Sequence, residues 1–384
     1  MKSMLRFAFA LAVTCPAVGN AAQTNGNLDP AGLSRLAPAA VEYFLTDLGP
    51  GSSTNDAPQD ITEGGKVALQ QDARGYVWEE GTRTPTGGVP NGNTQLRINE
   101  LGHLAGADRL RANIWRDGVR TDLGVLEPSV RDFTFASGIN DHDQVIGSSY
   151  RDSINSYRGF LWEDGALFDI GGFLPTGETL PTDINNAGQI VGSSRTTVGG
   201  LEHPFLYEDG VMTRLPIPAE FVRGSADAIS PNGNIAGIVR EDFFFDTSAV
   251  AWIDGVVRLL DPLSENGDSL ALGVNDQGQV VGSFGPSFAQ SAFLWENGIM
   301  TELNELVFNG EGYDIERAFE INNAGQIVAN ASYQGQTHAV LLTPVSIPEP
   351  SSLLMIGLAG MGLASRRRRR AAAICNAICS LSGP

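Results

Sequence analysis

The sequence predicts an all-β fold, a seven-bladed β-propeller closed by an N-terminal strand and followed by a short C-terminal transmembrane helix. Three observations carry that prediction. A nine-residue motif occurs seven times, each copy is followed by a second motif, in most copies a tight-turn signal, and the strand missing from the last copy stands ahead of the first.

The motif is clearest as Ile184-Asn-Asn-Ala-Gly-Gln-Ile-Val-Gly192. It recurs as Ile98 to Gly106, Ile139 to Gly147, Ile229 to Gly237, Val274 to Gly282, Ile321 to Ala329 and, much decayed, Ile61 to Leu69. Successive copies begin 37 to 47 residues apart, and self-similarity at such a period marks a repeat architecture. Downstream in the first six units an apolar triplet ends in an aromatic residue just ahead of a turn. The pairs are Trp78 with Glu80-Gly81, Trp115 with Asp117-Gly118, Trp162 with Asp164-Gly165, Tyr207 with Asp209-Gly210, Trp252 with Asp254-Gly255 and Trp295 with Asn297-Gly298. Asn-Gly and Asp-Gly tolerate the positive φ that short hairpins require, so each unit reads as four strands with two tight turns. No helical period appears inside any unit, and four-stranded units of about 45 residues build propeller blades.

The seventh unit runs through His338-Ala-Val-Leu-Leu342 and stops without a closing strand. Tyr43-Phe-Leu-Thr-Asp-Leu-Gly49, ahead of the first unit, matches the closing form Thr121-Asp-Leu-Gly124. Pairing the two ends latches a ring and removes its open edges, whereas an open solenoid would need capping repeats.

Glycine at 46 of 384 residues and charged residues at 18%, with 42% hydrophobic, suit a packed repeat protein. The formal net charge is −19, and Lys2, Arg6 and Arg366 to Arg370 lie in terminal segments, so the body between is more acidic still. Such a body repels phosphate backbones, and nucleic acid is excluded as a partner.

Residues 1–22 carry Lys2 and Arg6, the apolar run Phe7 to Val13 and small residues before Ala22. That pattern is a signal peptide, handled by the Sec export machinery and signal peptidase. Residues 23–40 read as a linker and 41–344 as the propeller. Cys15 falls in the leader and Cys375 and Cys379 in the tail, so the exported body has no cysteine with which to form disulfides.

At the other end Ile347-Pro-Glu-Pro350 precedes the apolar stretch Leu353 to Ala364 and five arginines. Twelve apolar residues would span about 18 Å as a helix, short of a hydrocarbon core of about 30 Å. The arginines stay cytoplasmic by the positive-inside rule, which puts the Pro-Glu-Pro segment outside and makes residues 345–370 a transient inner-membrane tether. Pro348, Glu349 and Pro350 with Arg366, Arg367, Arg368, Arg369 and Arg370 resemble the PEP-CTERM sorting signal of Gram-negative bacteria. The resemblance implies cleavage by exosortase near Pro-Glu-Pro and a secreted or cell-surface destination. The tail 371–384 is atypical for that signal.

The repeat itself resembles the HAF family of extracellular repeats, through Ser291-Ala-Phe-Leu-Trp-Glu-Asn-Gly298, His203-Pro-Phe and His338-Ala-Val. That likeness implies a link to extracellular polysaccharide or biofilm matrix.

No catalytic, dinucleotide or P-loop fingerprint is present. His203 and His338 share one repeat position, His103 replaces a repeat glutamine, and His142 lies in a turn, so all four histidines belong to the repeat. Catalytic residues and cofactors are therefore expected to be none, with calcium at Asn140-Asp141-His142-Asp143 as the one metal the oxygen ligands suggest. Variation concentrates in the connections between strands two and three and between blades. These share one face and carry Phe133, Tyr150, Tyr157, Phe221, Phe243, Phe244, Phe245, Phe288 and Tyr313 as candidate ligand-face aromatics. The reading is a non-enzymatic binding or scaffolding protein. The alternative, a glycan-acting hydrolase or lyase, requires acids converging on one pocket at the ring axis.

Overall fold

The computed structural model describes residues 41–51, 58–71, 74–86, 96–108, 110–128, 130–196, 200–241, 247–260, 268–286 and 289–345. Among them are seven four-stranded antiparallel sheets, the blades of a propeller. Six are sequential: blade I (58–85), II (97–122), III (134–169), IV (179–214), V (223–259) and VI (269–302). Blade VII joins 313–345 to the strand Glu42–Pro50 from the other end of the chain. Blade III shows the plan, with Thr134–Ile139 innermost, then Val145–Arg151, Ser156–Glu163 and Ala166–Asp169 outermost. One turn of helix, Leu303–Leu306, lies in the connection from blade VI to VII and is too short to register as a period in the sequence.

The Asp-Gly and Asn-Gly turns adopt the geometry their sequences predict. Asp117 and Gly118 have φ of 50° and 77°, and Asn297 and Gly298 follow at 53° and 85°. The glycine ending each full motif has a different cause. A Cβ on Gly147 would overlap the Phe135 carbonyl of the innermost strand, and Gly192, Gly237 and Gly282 meet the equivalent carbonyls.

Seven apolar clusters lie between adjacent blades and not within them. Ile61, Val67 and Leu69 of blade I pack on Val328 and Leu341 of blade VII, which closes the circle. The buried motif asparagines add a polar belt. Asn99 Nδ2 donates to Asn140 O at 3.0 Å, Asn140 to Asn185 O at 3.1 Å, and Asn185 to Ser230 O at 3.1 Å. Further round, Asn275 donates to Asn322 O at 3.2 Å and Asn322 to Thr62 O at 3.1 Å. Blade V has Ser230 at the motif position, and Asn234 reaches Asn275 O at 3.2 Å instead. Blade I has Thr62 there, and Lys66 Nζ donates to Glu100 O at 2.8 Å.

The closing strand pairs antiparallel with Gln336–Val345, from Glu42 opposite Val345 to Pro50 opposite His338. Tyr43, Leu45 and Leu48 are buried by it. Its outer edge is covered in turn. Asn309 accepts from Leu45 N at 2.7 Å and donates to Leu45 O at 2.9 Å, imitating a backbone partner. Asp47 accepts from Tyr313 Oη and pairs with His338 Nδ1, both at 3.0 Å, while Tyr313 and Tyr333 stack with centroids 4.2 Å apart. Burial alone would raise the Asp47 pKa, but hydrogen bonds from His338, Gly49 and Tyr313 outweigh it and hold the carboxyl below its usual range.

Removing residues 41–50 is expected to lower stability by on the order of 5 kcal/mol, from the lost burial of three large apolar side chains, the core they uncover and a bare strand edge. Thermal unfolding of the truncated protein checks this, and an unchanged midpoint would contradict the latch.

Candidate functional site

The ring has two chemically distinct faces. Hairpins between strands one and two and between three and four line the turn face. The remaining connections line the loop face, where residues 123–128, 130–133, 170–178 and 303–312 run without regular strand structure.

Three sequence-predicted aromatics meet on the loop face of blade III. Phe133 lies 6.3 Å from Tyr150 and Tyr150 lies 5.3 Å from Tyr157, edge-on. Phe135, from the innermost strand and not anticipated in the sequence, extends the chain at 6.1 Å from Tyr157. Tyr150 is 8% exposed and anchored. Its hydroxyl donates to Asn155 Oδ1 at 2.6 Å and accepts from Arg131 at 3.0 Å, and the Arg131 guanidinium sits 5.6 Å from the ring centre. Tyr157, Phe133 and Phe135 remain half-buried. Burial, with the Tyr150 hydroxyl and Glu178 nearby, raises the Tyr157 pKa. Phe221 differs from expectation. It is buried among Leu215, Ala226 and Val239 between blades IV and V, as apolar filling under its own connection. Phe243, Phe244, Phe245 and Phe288 lie outside the described residues, as do Pro348, Glu349, Pro350 and Arg366 to Arg370.

A second constellation, with no repeat signal of its own, sits on the axis. In six blades the innermost strand carries a bulge just before the motif, at Gln59, Ser137, Thr182, Asp227, Leu272 and Phe319. A bulge re-aims side chains and adds twist. Here Asp60, Arg97, Asp183, Asp227 and Glu320 line one cavity of about 130 Å³, toward the turn face.

Most of these groups tie blades together. Asp60 accepts from Ile61 N and from Ile98 N of the next blade, both at 2.9 Å. Asp183 accepts from Ile184 N at 2.8 Å and from Ile229 N at 2.9 Å in the same way. Arg97 donates to Gln59 O at 2.8 Å and Ser137 O at 2.9 Å, bridging three blades.

Protein surrounds these carboxyls except for the narrow channel, and burial pushes Asp60 up to about 6 against the pull of Arg97. Burial also takes Asp227 to about 6, opposed by the Ser225 hydroxyl, Arg240 and Arg317, and raises Asp183. Glu320 lies well above the ordinary value because burial is joined by the charges of Asp183 and Asp60.

The equivalent histidines have opposite environments. His338 faces the Asp47 carboxylate. His203 faces Arg214, 2.6 Å from Nδ1, and burial together with that guanidinium lowers its pKa to about 4. The Asn140 to Asp143 run, the expected calcium ligands, is drawn into contacts between blades. Asp143 holds His103 at 2.8 Å and Arg116 at 2.7 Å, and Asp141 accepts from Glu100 N at 2.8 Å.

Residues 346–370 match the PEP-CTERM protein-sorting motif. The motif marks an exported chain, processed by exosortase and destined for the surface or exterior of a Gram-negative bacterium. No curated protein matches the sequence. Among solved structures the chain is similar to the extracellular domain of a one-component system from B. thetaiotaomicron, at 9% identity over 80% of this chain and 40% of that one, with a TM-score of 0.49. It is also similar to the GH74 enzyme of Niastella koreensis, at 13% identity over 77% and 53%, TM-score 0.49. A third is a gluconolactonase from Xanthomonas campestris, at 13% identity over 79% and 95%, TM-score 0.40. Among the described residues no helix is long and apolar enough to cross a membrane, and the sorting helix expected at 353–364 falls outside them.

Raised carboxyl pKa values mean that the folded ring holds protons the unfolded chain has already released. Stability should therefore rise as pH falls from about 7.5 through 6, by on the order of 1 kcal/mol for each group titrating near 6. The gain ends near the ordinary carboxylate range, below which protonation of the lowered Asp47 and Asp143 reverses it. Glu320→Gln keeps an acceptor for Ile321 N and should flatten the profile. A thermal midpoint that falls steadily from neutral to mildly acidic pH would contradict this account.

Proposed function

We propose that this exported propeller binds extracellular polysaccharide or surface partners of the biofilm matrix through its loop face, without turning them over. Sec export and signal peptidase remove residues 1–22, residues 345–370 tether the precursor transiently to the inner membrane, and exosortase releases it near Pro348 to Pro350. The linker 23–40 and the propeller body then reach the exterior.

The observation that carries the binding reading is how the two faces use their side chains. On the loop face Phe133, Tyr150, Tyr157 and Phe135 form a chain of mutually tilted rings with an anchored centre, and the half-buried members offer apolar faces for sugar rings. On the axis Asp60 and Asp183 are engaged by backbone N–H groups. A cavity of about 130 Å³ also falls well short of the ~300–1,000 Å³ of ordinary ligand pockets. The HAF-type likeness of the repeats supports an extracellular setting.

The second reading, a glycan-acting hydrolase or lyase, is favoured by the same axial group. Carboxyls with raised pKa values in one cavity are candidates for general acids. A glycan array with product analysis separates the two. Binding without depolymerisation is expected, and Tyr157→Ala should weaken it about tenfold, equivalent to ~1.4 kcal/mol. Shortened glycan products, abolished by Glu320→Gln, would replace the binding reading with the enzymatic one.

Processing is tested by mass spectrometry of released protein, which should lack peptides covering Leu353 to Ala364. Replacing Pro348, Glu349 and Pro350 by alanine should leave full-length precursor in the cell. Intact C-terminal peptides in most of the extracellular protein would overturn exosortase release.

A further inference from the structure

The ends of the ring leave from one face. The strand Ile327–Tyr333 departs from the tight turn after Asn322 and runs to the loop face, where Gln334 and Gly335 reverse the chain. Its antiparallel neighbour Gln336–Val345 therefore finishes at the turn face, and the closing strand starts there too, with Glu42 opposite Val345. Only Ser346 and Ile347 separate Val345 from Pro348. A chain covers at most about 3.6 Å per residue, which keeps Pro348 within about 11 Å of the end of the strand. The six-residue inner strands alone make the ring about 20 Å deep. The cleavage segment is thus much closer to the turn face of blade VII than to the loop face.

We infer that the turn face of blade VII is the surface presented to the membrane and to exosortase in the tethered precursor, while the loop face points away and is open to ligand before release. The inference rests on the transient-tether reading. The turn face suits a stand-off from anionic lipid more than adhesion to it. Glu63, Glu100 and Asp141 line the axial opening there, and Asp276 lies in the tight turn beside Asn323. Burial raises the Glu63 pKa, and the negative charges of Asp276, Glu100 and Asp141 add to it. Like-charged surfaces repel over roughly a Debye length, about 8 Å at physiological salt. That is comparable to the span the chain leaves for the enzyme.

The test compares two single cysteines on blade VII, each exposed: Ala324→Cys in the tight turn and Gln336→Cys at the opposite end. Cys375 and Cys379 are replaced by serine, and Pro348, Glu349 and Pro350 by alanine to retain the full-length precursor. Spheroplasts are treated with a bulky, membrane-impermeant polyethylene glycol maleimide. Ala324→Cys should react several-fold more slowly than Gln336→Cys in the precursor, and the ratio should return to that of released protein carrying the native motif. A long Gly-Ser insertion between Val345 and Ser346 should abolish the difference. Equal reactivity in membrane-bound precursor, or protection that survives the insertion, would overturn the orientation alone. Precursor recovered in the soluble fraction would overturn the tether as well.

Discussion

A side-chain amide that serves two blades at once holds this ring together. Asn140 shows the arrangement. Its Oδ1 accepts from His142 N and Gln144 N, both at 3.1 Å, closing its own tight turn, while Nδ2 donates forward to Asn185 O at 3.1 Å. One buried residue therefore fixes both the local turn and the placement of the next blade, with donor and acceptor capacity engaged. Truncating it would leave backbone groups unpaired in two blades, at about 1–3 kcal/mol for each buried group. Aspartate would keep the turn and lose the forward donor. Asparagine is suited to both tasks, and this explains its persistence through so divergent a set of repeats. Blades I and V, which have threonine and serine instead, each recruit another side chain from the same turn.

Because the turns carry the joints, the two faces have different freedom to vary. A change at the turn face disturbs a hydrogen bond to a neighbouring blade, whereas a connection on the loop face can lengthen without touching the belt. Arg158 shows how such a connection is still held. Nearly fully buried, it donates to Gly177 O at 2.8 Å and Leu174 O at 3.1 Å, fixing the passage from blade III to IV from beneath. The axial charges belong to the constrained side. Arg97 touches three blades, and its guanidinium is what allows several carboxyls to share a narrow channel.

The blade count and the latch were legible because both depend on periodic local signals, the Asn-to-Gly motif and the orphan strand Tyr43 to Gly49. The axial cluster was hidden for a definite reason. The position just before the motif is Asp60, Arg97, Asp183 or Glu320 in four blades but Gly138, Ala228 and Gly273 in the others, so no repeated residue type announces it. The bulges beside these positions in six blades add one residue to a strand without altering its composition. Phe221 misled for the opposite reason, since an aromatic in a connection looks exposed until its packing partners from the next blade are known. His203 and His338 likewise occupy one repeat position, and only the cross-strand partners, Arg214 and Asp47, distinguish them.

The composite seventh blade imposes an order of events on a chain that emerges from its N-terminus. Residues 42–50 are the first propeller strand to be made, yet their partner strand, Gln336–Val345, arrives last of all the propeller segments. Until then the first strand is an unpaired apolar ribbon and the other cores form on an open arc. Pairing so distant in sequence is slow, and a bare edge of this kind invites association with other chains. Under the proposed tether, closure comes only as the sorting segment reaches the membrane, so the last step of folding and the first opportunity for cleavage fall together. A chain that failed to latch would, by the same proposal, still be tethered and not shed.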